Sequence, residues 1–211
     1  MKRVTVMIDG GHLRSYVKKA NKRDAQLGLS YDPAMVVRVA KACVLQGEDL
    51  FRILYYDCDE FAGSVKLPVS NGTKVFNPSN SFLNRLAEEE LVAVRRGIIK
   101  FRGWERTSTS LSAAEQSAAN GQVAAPINDN DFRPRFEQKG VDLRIGLDMT
   151  AKVNVDSTGL LILITGDTDL IPALKIVRSR GIQVAGVNLP NYQILPELKH
   201  HLDIYRTVSQ W

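Results

Sequence analysis

Leu160-Leu161-Ile162-Leu163-Ile164-Thr165-Gly166-Asp167-Thr168-Asp169 limits the architectures open to this chain more than any other stretch. Its unbroken apolar run leaves no polar face for an amphipathic helix or a half-exposed strand. It predicts a strand covered on both sides, as in the middle of a parallel sheet. Two carboxylates, Asp167 and Asp169, follow at the strand exit. A carboxylate at the lip of an apolar core loses solvation free energy unless water, a donor or a cation compensates it. One of the pair is accounted for if it caps a helix starting near Thr168, because Asp is a favoured N-cap. One cap does not explain both, whereas a metal ion would.

The amino terminus repeats this layout. Val4-Thr5-Val6-Met7-Ile8 reads as a buried strand that stops at Asp9-Gly10-Gly11. From His12 to Lys22, Leu13, Tyr16, Val17 and Ala20 recur at helical spacing. Lys18, Lys19, Lys22 and Arg23 occupy the other face, either a solvated surface or a phosphate-binding one. Asp32-Pro33 opens a second helix running toward Gly47. Leu50 to Tyr56 forms the next strand, ending at Asp57-Cys58-Asp59-Glu60. These acids also lie at a strand exit, but the polar segment from there to Pro78 predicts a long exposed loop, which favours reading them as loop acids.

Ser79 or Ser81 caps a helix whose buried stripe is Leu83, Leu86, Ala87, Leu91 and Val94, with Glu88 to Glu90 wet. Gly97 to Trp104 is strand-like and, with Arg95, Arg96 and Arg106, the most basic region. Either Phe101 and Trp104 stack bases while Lys100 and Arg102 hold phosphates, or this is an edge strand protected by charge. Residues 107–134, rich in Ser, Ala, Asn, Gln and Pro, read as a flexible insertion in a single domain spanning 1–211. A helix entered at Gly140-Val141 carries Asp142, Arg144 and Asp148. The two acids lie about 120° apart around it, so they do not both face one ion. Asp142 is the better site candidate; Asp148 is a supporting acid, or holds backbone or a neighbouring cation. Leu170, Leu174 and Val177 mark another helix, Ile182 to Val187 another strand, Pro196 to His201 a short helix and Leu202 to Val208 a last extended piece.

A chain of 211 residues, 44% hydrophobic, suffices for one good core. It has no apolar run near a membrane span's length and no signal-peptide pattern, so a cytoplasmic protein without a membrane partner is expected. Cys43 and Cys58 have neither disulfide nor zinc spacing. The formal charge of +5 favours polyanionic partners, though weakly. Phe51, Phe61 and Trp211 are candidate partner-surface positions, for a second copy of the chain among others.

Alternating strands and helices predict an α/β fold with a parallel doubly wound sheet, in which ligands bind beyond the carboxyl ends of the strands. Asp9, Asp167 and Asp169 then emerge at one edge, adjacent if the first and fourth strands adjoin, and Asp142 reaches the same edge. Two carboxylates about 4 Å apart repel by about 4 kcal/mol at an effective dielectric near 20. Three or four together therefore need protons, separation or a cation. Oxygen-only donors favour Mg2+ or Mn2+. Such a site suits phosphodiester hydrolysis, with basic surface holding the polyanion. A dehalogenase-type phosphatase would carry a second Asp where Gly11 stands, a toprim-type nuclease a Glu where Asp9 stands, and neither a P-loop nor a dinucleotide fingerprint is present.

Val6-Met7-Ile8-Asp9-Gly10-Gly11, Lys139-Gly140-Val141-Asp142 with Asp148 following, and Thr165-Gly166-Asp167-Thr168-Asp169 resemble, in that order, the NYN domain family of PIN-like ribonucleases. The resemblance spans the chain outside 107–134. It implies a three-layer α/β/α, PIN-like and Rossmann-like fold and metal-dependent endoribonuclease activity, with Asp9, Asp142, Asp167 and Asp169 as the acidic cluster and Asp148 as a further commonly acidic position. Where the family typically has Asn, this chain carries His12, which either contacts carboxylate, water or phosphate or serves the first helix. Single-stranded RNA is the expected substrate, with Thr165 and Thr168 orienting carboxylates or phosphate and Lys100, Arg102 and Arg144 as further substrate contacts. The alternative is a non-catalytic RNA-binding or regulatory adaptor that keeps the fold and the pocket. A DNA or nucleotide phosphohydrolase using the same pocket is a third reading.

Overall fold

A computed structural model describes residues 1–78, 81–123, 125–152 and 159–209. In chain order its elements begin with strand β1 (Lys2–Asp9), helices α1 (Gly10–Arg23) and α2 (Pro33–Ala42), strands β2 (Glu48–Cys58), β3 (Gly63–Lys66) and β4 (Thr73–Phe76), helix α3 (Ser81–Ala87) and strand β5 (Val92–Arg106). Helix α4 (Ser108–Ala119), strand β6 (Phe132–Lys139), helix α5 (Val141–Lys152), strand β7 (Leu160–Ile164), helix α6 (Ile171–Ser179), strand β8 (Gln183–Asn188), helix α7 (Pro196–Lys199) and strand β9 (Ile204–Thr207) complete it.

The chain forms two compact units, Met1–Asp59 with Asn80–Gly97 and Gly140–Trp211, and Glu60–Ser79 with Ile98–Lys139. In the first, parallel strands run in the order β5-β2-β1-β7-β8-β9. The order in which successive strands are laid down reverses between the parallel neighbours β1 and β7, whose following segments leave to opposite sides, the arrangement that opens a crevice at the carboxyl edge. Val4 to Ile8 pair in register with Leu160 to Ile164. All five β7 residues are buried, as their composition demands, each contributing about 2 kcal/mol of apolar burial. Val4, Val6 and Ile8 join Leu13, Val17, Met35 and Val39 of α1 and α2 in one core. By strand alternation Met7 serves the opposite face, where α5 and α6 pack on each other and bury Ile145, Met149, Leu174 and Val177. This is the expected three-layer α/β/α fold, with a mostly parallel sheet.

Beyond Gly97, β5 continues into the second unit and pairs antiparallel with β6, giving the sheet its seventh strand. The loop expected between Glu60 and Pro78 contains the antiparallel hairpin β3–β4. Its Phe61 and Phe76 pack with Phe101 and Phe136, aromatic packing that a count of polar residues overlooks. Phe61 is therefore a packed ring, not a loose one. The expected insertion 107–134 also contains structure: Thr107 caps α4 by accepting from Ser110 N, and β6 begins at Phe132.

Two helices stop earlier than expected. α2 ends at Ala42, and α3 ends at Ala87 with Val94 already in β5. Extending α3 would put Glu88 to Glu90 against the negative end of the helix dipole. Instead the chain turns, Leu91 takes a left-handed φ of 61°, and its carbonyl accepts from Ile53 N at 2.8 Å. Ser79, one of the expected caps, and Trp211 lie outside the described residues. Among the described residues no helix is long and apolar enough to cross a membrane.

Candidate acidic site at the sheet edge

β1 and β7 lie side by side and end level, so the residues after them meet. Asp9 is the N-cap of α1, with one carboxylate oxygen accepting from His12 N at 3.0 Å. The other oxygen accepts from the Thr165 hydroxyl at 3.2 Å. Thr165 is 6% exposed, and its hydroxyl oxygen in turn accepts from Asp167 N at 3.1 Å. Asp167 caps the 3-10 turn Thr168–Leu170 that leads into α6, accepting from Asp169 N at 2.9 Å. Capping thus accounts for one strand-exit acid on each side of the junction and leaves Asp169 and Asp142 without that explanation.

Asp142 sits in the first turn of α5. A helix N-terminus favours a carboxylate by about 0.3–1 kcal/mol, yet its pKa is raised. Partial loss of water is the largest cause, followed by the charges of Asp167, Asp9 and Asp169 and by a hydrogen bond with Asp167. Asp142 is therefore close enough to Asp9, Asp167 and Asp169 to feel the charge of each. The donor set is all oxygen, the chemistry of a hard divalent cation. Their side chains are not drawn around one point: among the described residues, no group of three or more His, Cys, Asp or Glu is arranged to hold a metal. The chemistry fits a cation, whereas closing a coordination shell asks for side-chain rotation.

The surroundings add groups that periodicity does not reveal. His12 packs edge-on against Tyr192, ring centroids 5.0 Å apart. A Cβ on Gly166 would stand 2.9 Å from the His12 ring and 2.9 Å from the Tyr192 hydroxyl, so only glycine lets the chain pass there. Burial lowers the His12 pKa, with Asp9 opposing and Lys19 assisting. Burial raises that of Tyr192, helped by Asp9. Tyr192 follows β8 at the same edge, and applying the strand-exit rule to that strand as well would have flagged its loop.

The larger omission is Asp57. It is a buried acid at the end of β2, not a loop residue. Arg14 donates to it at 2.8 Å and Tyr55 at 3.2 Å. The Tyr31 hydroxyl lies 2.6 Å from that of Tyr55 and 3.2 Å from the Gly10 carbonyl oxygen. A Cβ on Gly10 would meet the Tyr55 hydroxyl at 2.4 Å, so this network presses against the residue following Asp9. Burial opposes the Arg14 charge, but Asp57 outweighs it and raises the Arg14 pKa.

The remaining candidates disperse. Asp148 accepts from the Tyr56 hydroxyl at 3.0 Å and Arg95 Nε at 2.8 Å, on the β2 side. Arg144 folds back to donate to the Gly140 carbonyl at 2.9 Å. Thr168 opens the turn that Asp167 caps. Lys100 and Arg102 belong to the second unit, where Lys100 is opposite Glu137 and Arg102 is ion-paired with it. Phe101 lies within the phenylalanine group, and Trp104 donates to the Lys66 carbonyl at 2.7 Å.

Comparison with models of known protein families returns no match, and neither does comparison with curated protein sequences. Among solved structures, the chain is similar to a protein of unknown function from Vibrio parahaemolyticus. Identity is 13% and the TM-score 0.50, over 99% of this chain and 93% of that one. At that identity the likeness speaks for the fold alone.

Proposed function

We propose that the protein is a metal-dependent endoribonuclease of the NYN type, acting on single-stranded RNA. Asp9, Asp142, Asp167 and Asp169 would hold one or more Mg2+ or Mn2+ ions. The observation that carries this reading is the junction of β1 and β7, where the Thr165 hydroxyl donates to Asp9 and its oxygen accepts from Asp167 N, with Asp142 near enough to feel the charges of Asp167, Asp9 and Asp169. The ordered motifs that resemble the NYN family support it as well.

A divalent cation bound there supplies Lewis-acid stabilisation of charge on the scissile phosphate and makes water a better nucleophile at neutral pH. The chain's own groups set the geometry. The His12 amide and the Thr165 hydroxyl fix the Asp9 carboxylate, and the Asp169 amide fixes one oxygen of Asp167. Burial lowers the pKa of the His12 imidazole and so favours its neutral form, the form able to accept a proton beside the acids.

The test is cleavage of fluorescent single-stranded RNA in Mn2+ and in EDTA, by the wild type and by Asp9→Asn and Asp167→Asn. Mn2+-stimulated cleavage lost in both variants, with folding intact, is expected. Equal cleavage in EDTA, or by the variants, would overturn the proposal. The adaptor reading is favoured by the lack of a ready coordination shell among the described residues. RNA binding without turnover under any divalent ion would establish it instead.

A further inference from the structure

Beside the acidic group, the first unit is hollowed along one side of α1. A cavity of about 120 Å3 is bounded by His12, Ser15, Tyr16, Lys19, Arg23 and Tyr192 among others. A larger one, about 520 Å3, is bounded by Tyr16, Arg23, Asp24, Leu27, Leu29 and Asn191 among others. Tyr16, Arg23 and Asn191 line both, so the two cavities adjoin along α1 and together form a groove. Its near end touches the acidic group, since the His12 amide holds Asp9 and Tyr192 feels the Asp9 charge.

The chemistry changes along its length. After the imidazole and phenol come an ammonium and a guanidinium, Lys19 and Arg23, one helical turn apart on α1. Leu27 and Leu29 add apolar walls to the larger cavity, and Asp24, one of whose oxygens accepts from Gln26 N at 3.0 Å, and Asn191 also line it. Leu27 is 46% exposed, an aliphatic side chain left without cover. The larger cavity falls within the roughly 300–1,000 Å3 usual for ligand clefts. Paired cations ask for an anion, apolar walls for a flat body, and a carboxylate beside an amide for a hydrogen-bonding edge.

We propose that this groove binds a nucleotide of the RNA strand remote from the bond that is cut, with phosphate on Lys19 and Arg23 and the base between Leu27 and Leu29. The inference rests on the nuclease reading for what happens at the strand's other end. By the rise of an α-helix, Lys19 and Arg23 lie about 15 and 21 Å beyond Asp9. Only a strand several nucleotides long reaches from the acids into the cavity, so affinity must depend on length. Binding energy gathered this far from the reacting phosphate positions the strand without taking part in the chemistry.

The test is fluorescence anisotropy with labelled single-stranded oligoadenylates of increasing length, in EDTA so that nothing is hydrolysed. Wild-type affinity should step up at the length that reaches Arg23. The exposed double substitution Arg23→Glu with Leu27→Asn, which changes net charge by the same amount as Lys41→Glu, should remove the step and weaken long-strand binding by about tenfold or more. Lys41→Glu, at the exposed end of α2, controls for net charge and should leave the curve as it is. The inference is overturned if no strand binds, if the double variant loses no more than Lys41→Glu, or if a free mononucleotide displaces the long strand at equal affinity, which would mark a small-molecule pocket. A length step without Mn2+-stimulated cleavage would sink the nuclease and keep the groove. Cleavage without the step would do the reverse.

Discussion

Two sets of aspartates in the first unit have opposite surroundings. On the β2 side each has an arginine: Asp57 pairs with Arg14, Asp59 with Arg96 and Asp148 with Arg95. At the β1–β7 junction, Asp9, Asp142, Asp167 and Asp169 have no ion pair with Lys or Arg among the described residues, and Asp142 answers its neighbours by holding its proton more tightly. The same residue type does structural work where the chain supplies the counter-charge. Where it does not, protons, water or a bound cation must supply it.

The largest effect that would break the contrast is on activity. Asp9→Asn or Asp167→Asn should reduce Mn2+-stimulated RNA cleavage by about a hundredfold or more, read in a gel assay, while circular dichroism stays native. Asp59→Asn, on the paired side, should leave cleavage near wild type. Equal losses in the two sets would erase the distinction.

Stability should respond in the opposite pattern. Arg14→Ala leaves the buried Asp57 without its guanidinium. The Asp57 side chain is 0% exposed and that of Arg14 45%, so the loss should be about 2–3 kcal/mol, below that of a fully buried pair. For a chain of this size it would appear as a fall in Tm of roughly 4–12 °C.

A smaller effect of opposite sign is expected from Asp142→Asn in EDTA. A carboxyl whose pKa is raised on folding binds protons more readily in the folded state. Its penalty is therefore absent below the ordinary carboxylate range, grows as pH rises toward the raised value, and is complete above it. The variant should melt slightly higher than wild type at pH 7 and together with it at low pH. Mn2+ should then raise the wild-type Tm more than the variant's. A variant less stable at pH 7 without metal would show the acids to be mutually satisfied. The smallest effect is Arg95→Ala: its pair with Asp148 is partly exposed, so the expected change is about 1 kcal/mol or less.

Much of the fold is legible in patterning. Leu160 to Ile164 allows little except a buried central strand, Val4 to Ile8 has the same character, and the Asp32-Pro33 cap sits where such pairs start helices. The misreadings have one source. The hairpin β3–β4, helix α4 and strand β6 all lie in stretches judged by polarity, yet Phe61, Phe76, Phe101 and Phe136 gather there from well-separated positions. Asp57 is hidden in the same way, because a buried acid looks like a loop acid until Arg14, 43 residues earlier, stands beside it.

Residue order alone carries which side chains end each strand, because an apolar run and the turn that stops it are local and their physics reaches only a few positions. It contains the acids, the glycines close to them in sequence and the basic face of α1. Tertiary folding chose which strand ends became neighbours: Thr165 reaches Asp9 across 156 positions, and His12 meets Tyr192 beside Gly166. It also determined which aspartates received an arginine. Those outcomes follow from sheet order and from the cost of an unpaired charge near an apolar core, and both involve groups that no local window contains together.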